Sequence, residues 1–202
     1  MEYCIEDTYK ERIICGIDEV GRGCLAGPVV AAAVIMPDGE RISEINDSKK
    51  LSKKKREKLD LEIRDTAVAV GIGVIDHTII DKINIKQATR LAMRAALDDM
   101  YLQYKIIPEL LLIDLEEINT TLPQKSLIGG DGISYNIACA SIIAKVYRDN
   151  LFLEFSEKYP GYSFETNMGY GTAAHIKGIE ELGLTPIHRM SFLEKILRRI
   201  GK

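Results

Sequence analysis

Several acidic residues of this chain stand where a solvated surface charge is not expected. Asp18-Glu19 closes an apolar stretch, Asp114 follows the run Leu110-Leu111-Leu112-Ile113, and Asp131 sits in Gly129-Gly130-Asp131-Gly132 just ahead of a long helical pattern. Carboxylates at the ends of elements can converge at one edge of a sheet, where their mutual repulsion calls for cations. Hard oxygen ligands suit Mg²⁺ or Mn²⁺. Adjacent strand residues point to opposite faces, so Asp18 and Glu19 can share a site only if Glu19 lies past the strand end or at a bulge. The Gly21-Arg22-Gly23 turn two residues on fits that requirement. Taken singly, each of these acids reads more readily as a solvated strand-end charge.

The elements that must position them follow from hydrophobic period and turn signals. Arg12 to Asp18 and Pro28 to Met36 are apolar and β-branched between glycines, the pattern of two strands joined through Gly21-Arg22-Gly23. Ser52 caps a helix from Lys53 to about Asp65, with Leu59 and Ile63 on its inner face. Thr66 to Ile75 reads as a third strand, and Lys86 to Tyr104 as a helix. Leu110 to Asp114 has the continuous apolar run of a strand buried on both faces. Ser126 to Ile128 is a short further strand. A helix from Tyr135 to Lys158 stops at Pro160-Gly161, and two helical patterns follow at Ala173 to Leu182 and Phe192 to Ile200. The fold class is therefore α/β: a mixed sheet flanked by helices, in one domain over residues 1–202, with a helical C-terminal extension from about residue 160.

Composition sets the frame. The 202 residues carry 27 Lys and Arg against 30 Asp and Glu, a formal charge of −3 that gives no hint of a polyanion partner. The charge is unevenly placed, however. Asp47 to Lys58 holds seven basic and two acidic residues, and His188 to Lys202 holds five and one. The remainder is strongly acidic, and its four singled-out carboxylates would be neutralised by two divalent ions. The longest apolar stretch, Cys24 to Met36, is broken by Gly27-Pro28 and too short to span a bilayer, and no secretory signal opens the chain. The cytoplasm is the expected compartment. Four cysteines without Cys-x-x-Cys spacing read as small apolar residues in reducing surroundings.

Six blocks of sequence carry a family resemblance. They are Gly16-Ile17-Asp18-Glu19-Val20-Gly21-Arg22-Gly23, Ala26-Gly27-Pro28-Val29-Val30-Ala31-Ala32-Ala33-Val34, Asp47-Ser48-Lys49-Lys50-Leu51, the run Ala138 to Asp149, Gly169-Tyr170-Gly171-Thr172, and His188-Arg189-Met190-Ser191-Phe192. Together and in this order they resemble the motifs of type 2 ribonucleases H, specifically ribonuclease HII, from about Gly16 to Phe192. The family commonly has Gly where Leu115 stands, and Ala where Cys139 and Val20 stand; none of these differences removes an oxygen ligand.

The resemblance implies a ribonuclease H-like fold and hydrolysis of RNA within RNA–DNA hybrids. It extends to single ribonucleotides in duplex DNA, cut on their 5′ side to leave 3′-OH and 5′-phosphate ends. It assigns Asp18, Glu19, Asp114 and Asp131 to catalysis with two divalent ions, Mg²⁺ or Mn²⁺. Gly21, Arg22 and Gly23 would approach the ribose 2′-OH that marks RNA, and Tyr170 would pack on the neighbouring sugar. Ser141, Lys145 and Arg148 share one helix face, which the resemblance favours as phosphate-holding; the plainer account pairs Lys145 with Asp149. Lys49 is a further candidate phosphate contact. His175 and His188 lack the spacing of a metal site and are left out of catalysis.

A monomer acting on hybrid duplexes is expected, without a membrane partner. The sister type, ribonuclease HIII, usually carries an extra N-terminal substrate-binding domain, and with 17 residues ahead of Asp18 none is expected here. A hybrid-binding protein without activity and a carboxylate-metal phosphatase are the readings from other classes. The four acids speak against the first, and the two glycine-flanked loops against the second.

Overall fold

The computed structural model describes residues 4–9, 12–39, 41–45, 51–199 and 201. Five strands form one sheet: β1 (Ile14–Val20), β2 (Val29–Ile35), β3 (Ala69–Ile75), β4 (Leu110–Asp114) and β5 (Gln124–Leu127). Their order is β3-β2-β1-β4-β5, with β1, β2 and β3 antiparallel and β4 and β5 parallel to β1. The helices are α1 (Lys53–Thr66), α2 (His77–Ile83), α3 (Ile85–Tyr104), α4 (Tyr135–Lys158), α5 (Phe164–Asn167), α6 (Ala173–Leu182) and α7 (Met190–Arg199). The expected mixed sheet flanked by helices is present, with helices at the C-terminal end.

Side-chain alternation along the central strands builds two core layers. Val30, Ala32 and Val34 face Leu59 and Ile63 of α1 and Ala138, Ile142 and Ile143 of α4. Ile17, Ala31 and Ala33 face Ala88, Ala92, Met93 and Ala96 of α3 on the other side. Small residues let the helices approach closely: a Cβ added to Gly16 would lie 2.2 Å from the Asn136 carbonyl carbon at the start of α4. A third cluster joins the C-terminal helices to the end of α4 through Phe152, Phe164, Ile179 and Leu193, and includes Leu25 and Ala26 from the β1–β2 connection.

Local chemistry explains most boundaries. Ser52 accepts from Lys55 N at 3.3 Å and starts α1 as expected. That helix runs on to Thr66, so the third strand begins at Ala69 rather than Thr66. Helix α2 had no counterpart in the apolar pattern; Asp76 caps it by accepting from Thr78 N at 2.8 Å and Ile79 N at 3.0 Å. Helix α7 is capped from far along the chain, Asp81 accepting from Met190 N at 2.9 Å and Ser191 N at 3.0 Å. The four cysteines are buried and none is in a disulfide. No helix among the described residues is long and apolar enough to cross a membrane.

Candidate active site

Strand β1 outruns its parallel neighbour. Its pairing with β4 ends at Ile17 opposite Ile113, while its pairing with β2 continues without a bulge through Asp18↔Ala32, Glu19↔Ala31 and Val20↔Val30. The expectation that Glu19 lies past the strand end or at a bulge is thus corrected. Asp18 pairs with a residue of the α4-side core layer and Glu19 with one of the α3-side layer. The two carboxylates leave the strand on opposite faces and meet at the notch where β4 stops. A cavity of about 230 Å³ fills this notch, lined by Asp18, Glu19, Val20, Gly21, Arg22, Gly23, Asp114, Ser141, Lys145 and Tyr170.

The electrostatics of the notch are those of crowded acids. Burial and repulsion from Glu19 and Asp114 push the Asp18 carboxyl well above the usual carboxylate range, opposed by hydrogen bonds from Ser141 and from the Glu19 amide, the latter 2.7 Å long. Glu19 is pushed up to about 7, chiefly by burial, with Arg22 acting against the rise. Its Oε1 lies 3.5 Å from Arg22 Nη1, and its Oε2 is buried with no hydrogen-bond partner among the described residues. Asp114 Oδ1 accepts from Gly130 N at 2.7 Å.

Asp131 is placed differently from the other three. It is buried in the 3-10 turn Gly130–Gly132 ahead of α4, adjoining the residue that donates to Asp114, and does not line the cavity. Among the described residues no three acid, histidine or cysteine side chains stand close enough to one another to hold a metal ion as they are.

The α4 stripe divides. Ser141 and Lys145 line the cavity, and Lys145 Nζ donates to Asp149 Oδ1 at 2.7 Å, the pairing expected on the plainer account. Arg148, on the same face, is not open to a phosphate as expected. It is wholly buried, and its three nitrogens donate to main-chain carbonyls of Pro28, Met168 and Ala26, because the β1–β2 connection and the loop before Tyr170 cover this end of the stripe. Lys49 lies outside the described residues.

The two glycine-flanked loops both line the cavity. Gly21 has φ +97°, which only glycine adopts without strain, and a Cβ there would lie 2.3 Å from Arg148 Nε. Gly23 is a different case. Its φ is not positive, and a Cβ there would meet nothing within 4 Å among the described residues, so the fold itself does not demand glycine. Tyr170 is 40% exposed, and its carbonyl is 2.9 Å from His175 Nδ1. His175 Nε2 in turn lies 3.0 Å from His188 Nε2, and the rings pack on Tyr162 and Phe164. Both histidines are interior hydrogen-bonding groups, away from the acids.

One residue at this site, Glu116, gave no signal in the sequence. Glu116 is buried and pairs with Arg22 at 3.3 Å and with Arg90 of α3 at 2.9 Å. Leu115, where the resembled family has glycine, adopts φ +56°, which keeps a tight turn in which Glu116 N donates to Asp114 O at 2.7 Å.

Comparison with known proteins places this geometry. The family model described as "Ribonuclease HII" matches residues 15–195. A ribonuclease HII of Enterococcus faecalis is 54% identical over 189 residues, covering 93% of this chain and 72% of that protein. Ribonuclease H2 of Pyrococcus horikoshii superposes with a TM-score of 0.79 at 22% identity, over 94% of this chain and 99% of that one. Bst-RNase HIII in complex with Mn²⁺ does so with a TM-score of 0.70 at 20% identity, over 95% of this chain and 70% of that one. The chain belongs to the ribonuclease HII family, enzymes that cleave the RNA of RNA–DNA hybrids.

Proposed function

We propose that Asp18, Glu19, Asp114 and Asp131 hold two divalent cations, Mg²⁺ or Mn²⁺, and that the enzyme cuts on the 5′ side of a ribonucleotide, in long hybrids and in single ribonucleotides within duplex DNA. The observation that carries this reading is one cavity lined by three of these acids, Asp18, Glu19 and Asp114, together with Gly21-Arg22-Gly23 and Tyr170. The chemistry of the donor set suits hard cations, and the acids would have to draw together around them, since among the described residues no three stand close enough as they are. Asp18 and Glu19 are desolvated and repel each other, and the buried Glu19 Oε2 has no partner among the described residues; a divalent cation relieves both conditions. The Mn²⁺ bound to the HIII structure is consistent with this choice. Two such ions would supply a water of lowered pKa and neutralise charge on the departing 3′-oxygen.

The remaining steps belong to the protein. The Ser141 hydroxyl keeps Asp18 hydrogen-bonded and turned into the notch. Lys145, anchored by Asp149, presents a cation to the phosphate chain at the cavity wall. Gly23 leaves the backbone of its turn open to close approach by a sugar, which suits recognition of a 2′-OH, and Tyr170 offers a half-exposed ring to the adjoining sugar. Cleavage leaves 3′-OH and 5′-phosphate ends.

Mapping the cut in a duplex containing one ribonucleotide, with Mg²⁺ and Mn²⁺ in parallel, tests this reading. A single metal-dependent cut 5′ of the ribonucleotide is expected. Scattered cuts, or equal cleavage of an all-DNA duplex, would overturn it.

A further inference from the structure

Two arginines of the motif blocks take no direct part in this scheme, yet they are the largest fully buried side chains among the described residues. Arg189 Nε donates to Gly27 O at 2.8 Å and Nη1 to Arg22 O at 3.0 Å, while its own amide donates to Leu25 O at 2.8 Å. Arg148 Nε donates to Pro28 O at 2.9 Å, Nη1 to Met168 O at 2.9 Å and Nη2 to Ala26 O at 3.3 Å. These partners lie in two loops only, the β1–β2 connection that carries Gly21-Arg22-Gly23 and the loop that ends at Tyr170. The loops also touch directly, Leu25 N donating to Gly169 O at 2.8 Å.

The chemistry of these contacts is costly for a purely structural role. Every hydrogen-bonding partner of the two guanidinium groups is a main-chain carbonyl, and Arg189 Nη2 is buried with no partner among the described residues. Buried ionic groups are often replaceable by apolar residues without loss of stability. What a rigid planar fork supplies, and an apolar side chain does not, is the fixed spacing of several carbonyls. Phe152 under Arg148, at 4.4 Å from ring centroid to Cζ, and Phe192 under Arg189, at 5.2 Å, hold the planes of the forks. Gly21 rests on Arg148 with no room for a side chain between them.

We propose that Arg189 and Arg148 are positioning residues that set the distance between the Gly21-Arg22-Gly23 turn and Tyr170, and with it the selectivity of the enzyme for a sugar bearing a 2′-OH. This rests on the reading of those two loops as the sugar-recognising elements. Arg189 fixes the turn from below through Arg22 O and Gly27 O, and Arg148 ties the same connection to Met168, two residues before Tyr170. Neither side chain touches the substrate.

The test is Arg189→Lys, which keeps the charge but cannot hold two carbonyls in one plane. The readout is the ratio of the inhibition constant of an all-DNA duplex to the KM of the same duplex with one ribonucleotide. We expect this ratio to fall about tenfold, the scale of one lost charge-assisted hydrogen bond, through a raised KM with the all-DNA constant unchanged. A folded variant with an unchanged ratio, or with both constants raised equally, would overturn the proposal. If Arg189→Lys does not fold, Arg148→Lys puts the same question through the Tyr170 loop. Gly23→Ala separates the proposal from its premise. An unchanged ratio in that variant overturns the reading of the loops, whereas a lowered ratio there beside an unchanged one in Arg189→Lys overturns only the role of the arginines.

Discussion

Glu116 Oε1 stands 3.3 Å from Arg22 Nη2, and through this contact a buried carboxylate outside the expected acid set governs the cation closest to Glu19. Arg22 bridges Glu19 and Glu116, and Arg90 shares Glu116 from the α3 side. In Glu116→Gln the negative partner is gone, so Arg22 pairs more fully with Glu19. The expected outcome is a several-fold rise in the Mg²⁺ concentration needed for half-maximal activity. Because Arg22 and Arg90 are each about a third exposed, the stability loss is limited to about 1–2 kcal/mol. Metal titration and urea unfolding of the same variant check both parts.

Leu115 carries a left-handed backbone with φ +56° while being 54% exposed. A left-handed non-glycine residue costs roughly 1–2 kcal/mol, part of which glycine returns through its freer unfolded chain. Leu115→Gly is expected to stabilise the protein by about 0.5–1 kcal/mol and leave cleavage intact. A shift of the urea midpoint to higher concentration is the check.

The histidine pair makes stability depend on acid. Burial and the neighbouring His175 lower His188 to about 4, against 6.5 for a free imidazole, and the 3.0 Å contact between the two Nε2 atoms leaves room for one proton. The unfolded chain therefore binds more protons than the folded one between these values. The stabilisation is complete above pH 6.5 and is lost as pH falls toward 4, on the order of 3 kcal/mol in all. His188→Gln should be less stable at neutral pH and should show a shallower decline with acid, measured by unfolding at a series of pH values.

The sheet and the long helices were legible because their signals are local: β-branched runs, a serine cap, an apolar period. Asp18 and Asp114 were legible for the same reason, as charges in apolar strands, although only Asp114 ends its strand and β1 runs on to Val20. Arg148 was misplaced because helical spacing reports which face a residue occupies and is silent on what covers that face. The roles of Arg189 and Glu116 depend on loops that arrive from far along the chain, 167 residues away for the Arg189–Arg22 contact, and no spacing rule reaches that far. Helix α2 was missed because Ile79-Ile80 favours a strand by propensity, while its Asp76 cap was the stronger signal.

The central claim is that the acids in the notch perform the cleavage, apart from recognition of the duplex by the loops above them. Asp18→Asn removes the charge at the centre of this group while keeping its shape. The direct measurement is cleavage and binding of one RNA–DNA hybrid by this variant. The expected result is a loss of cleavage of about 10³-fold or more, the scale of removing a group that acts in the transition state, with the Kd for the hybrid within about threefold of the unaltered protein. Metal-dependent turnover retained in Asp18→Asn would contradict the account.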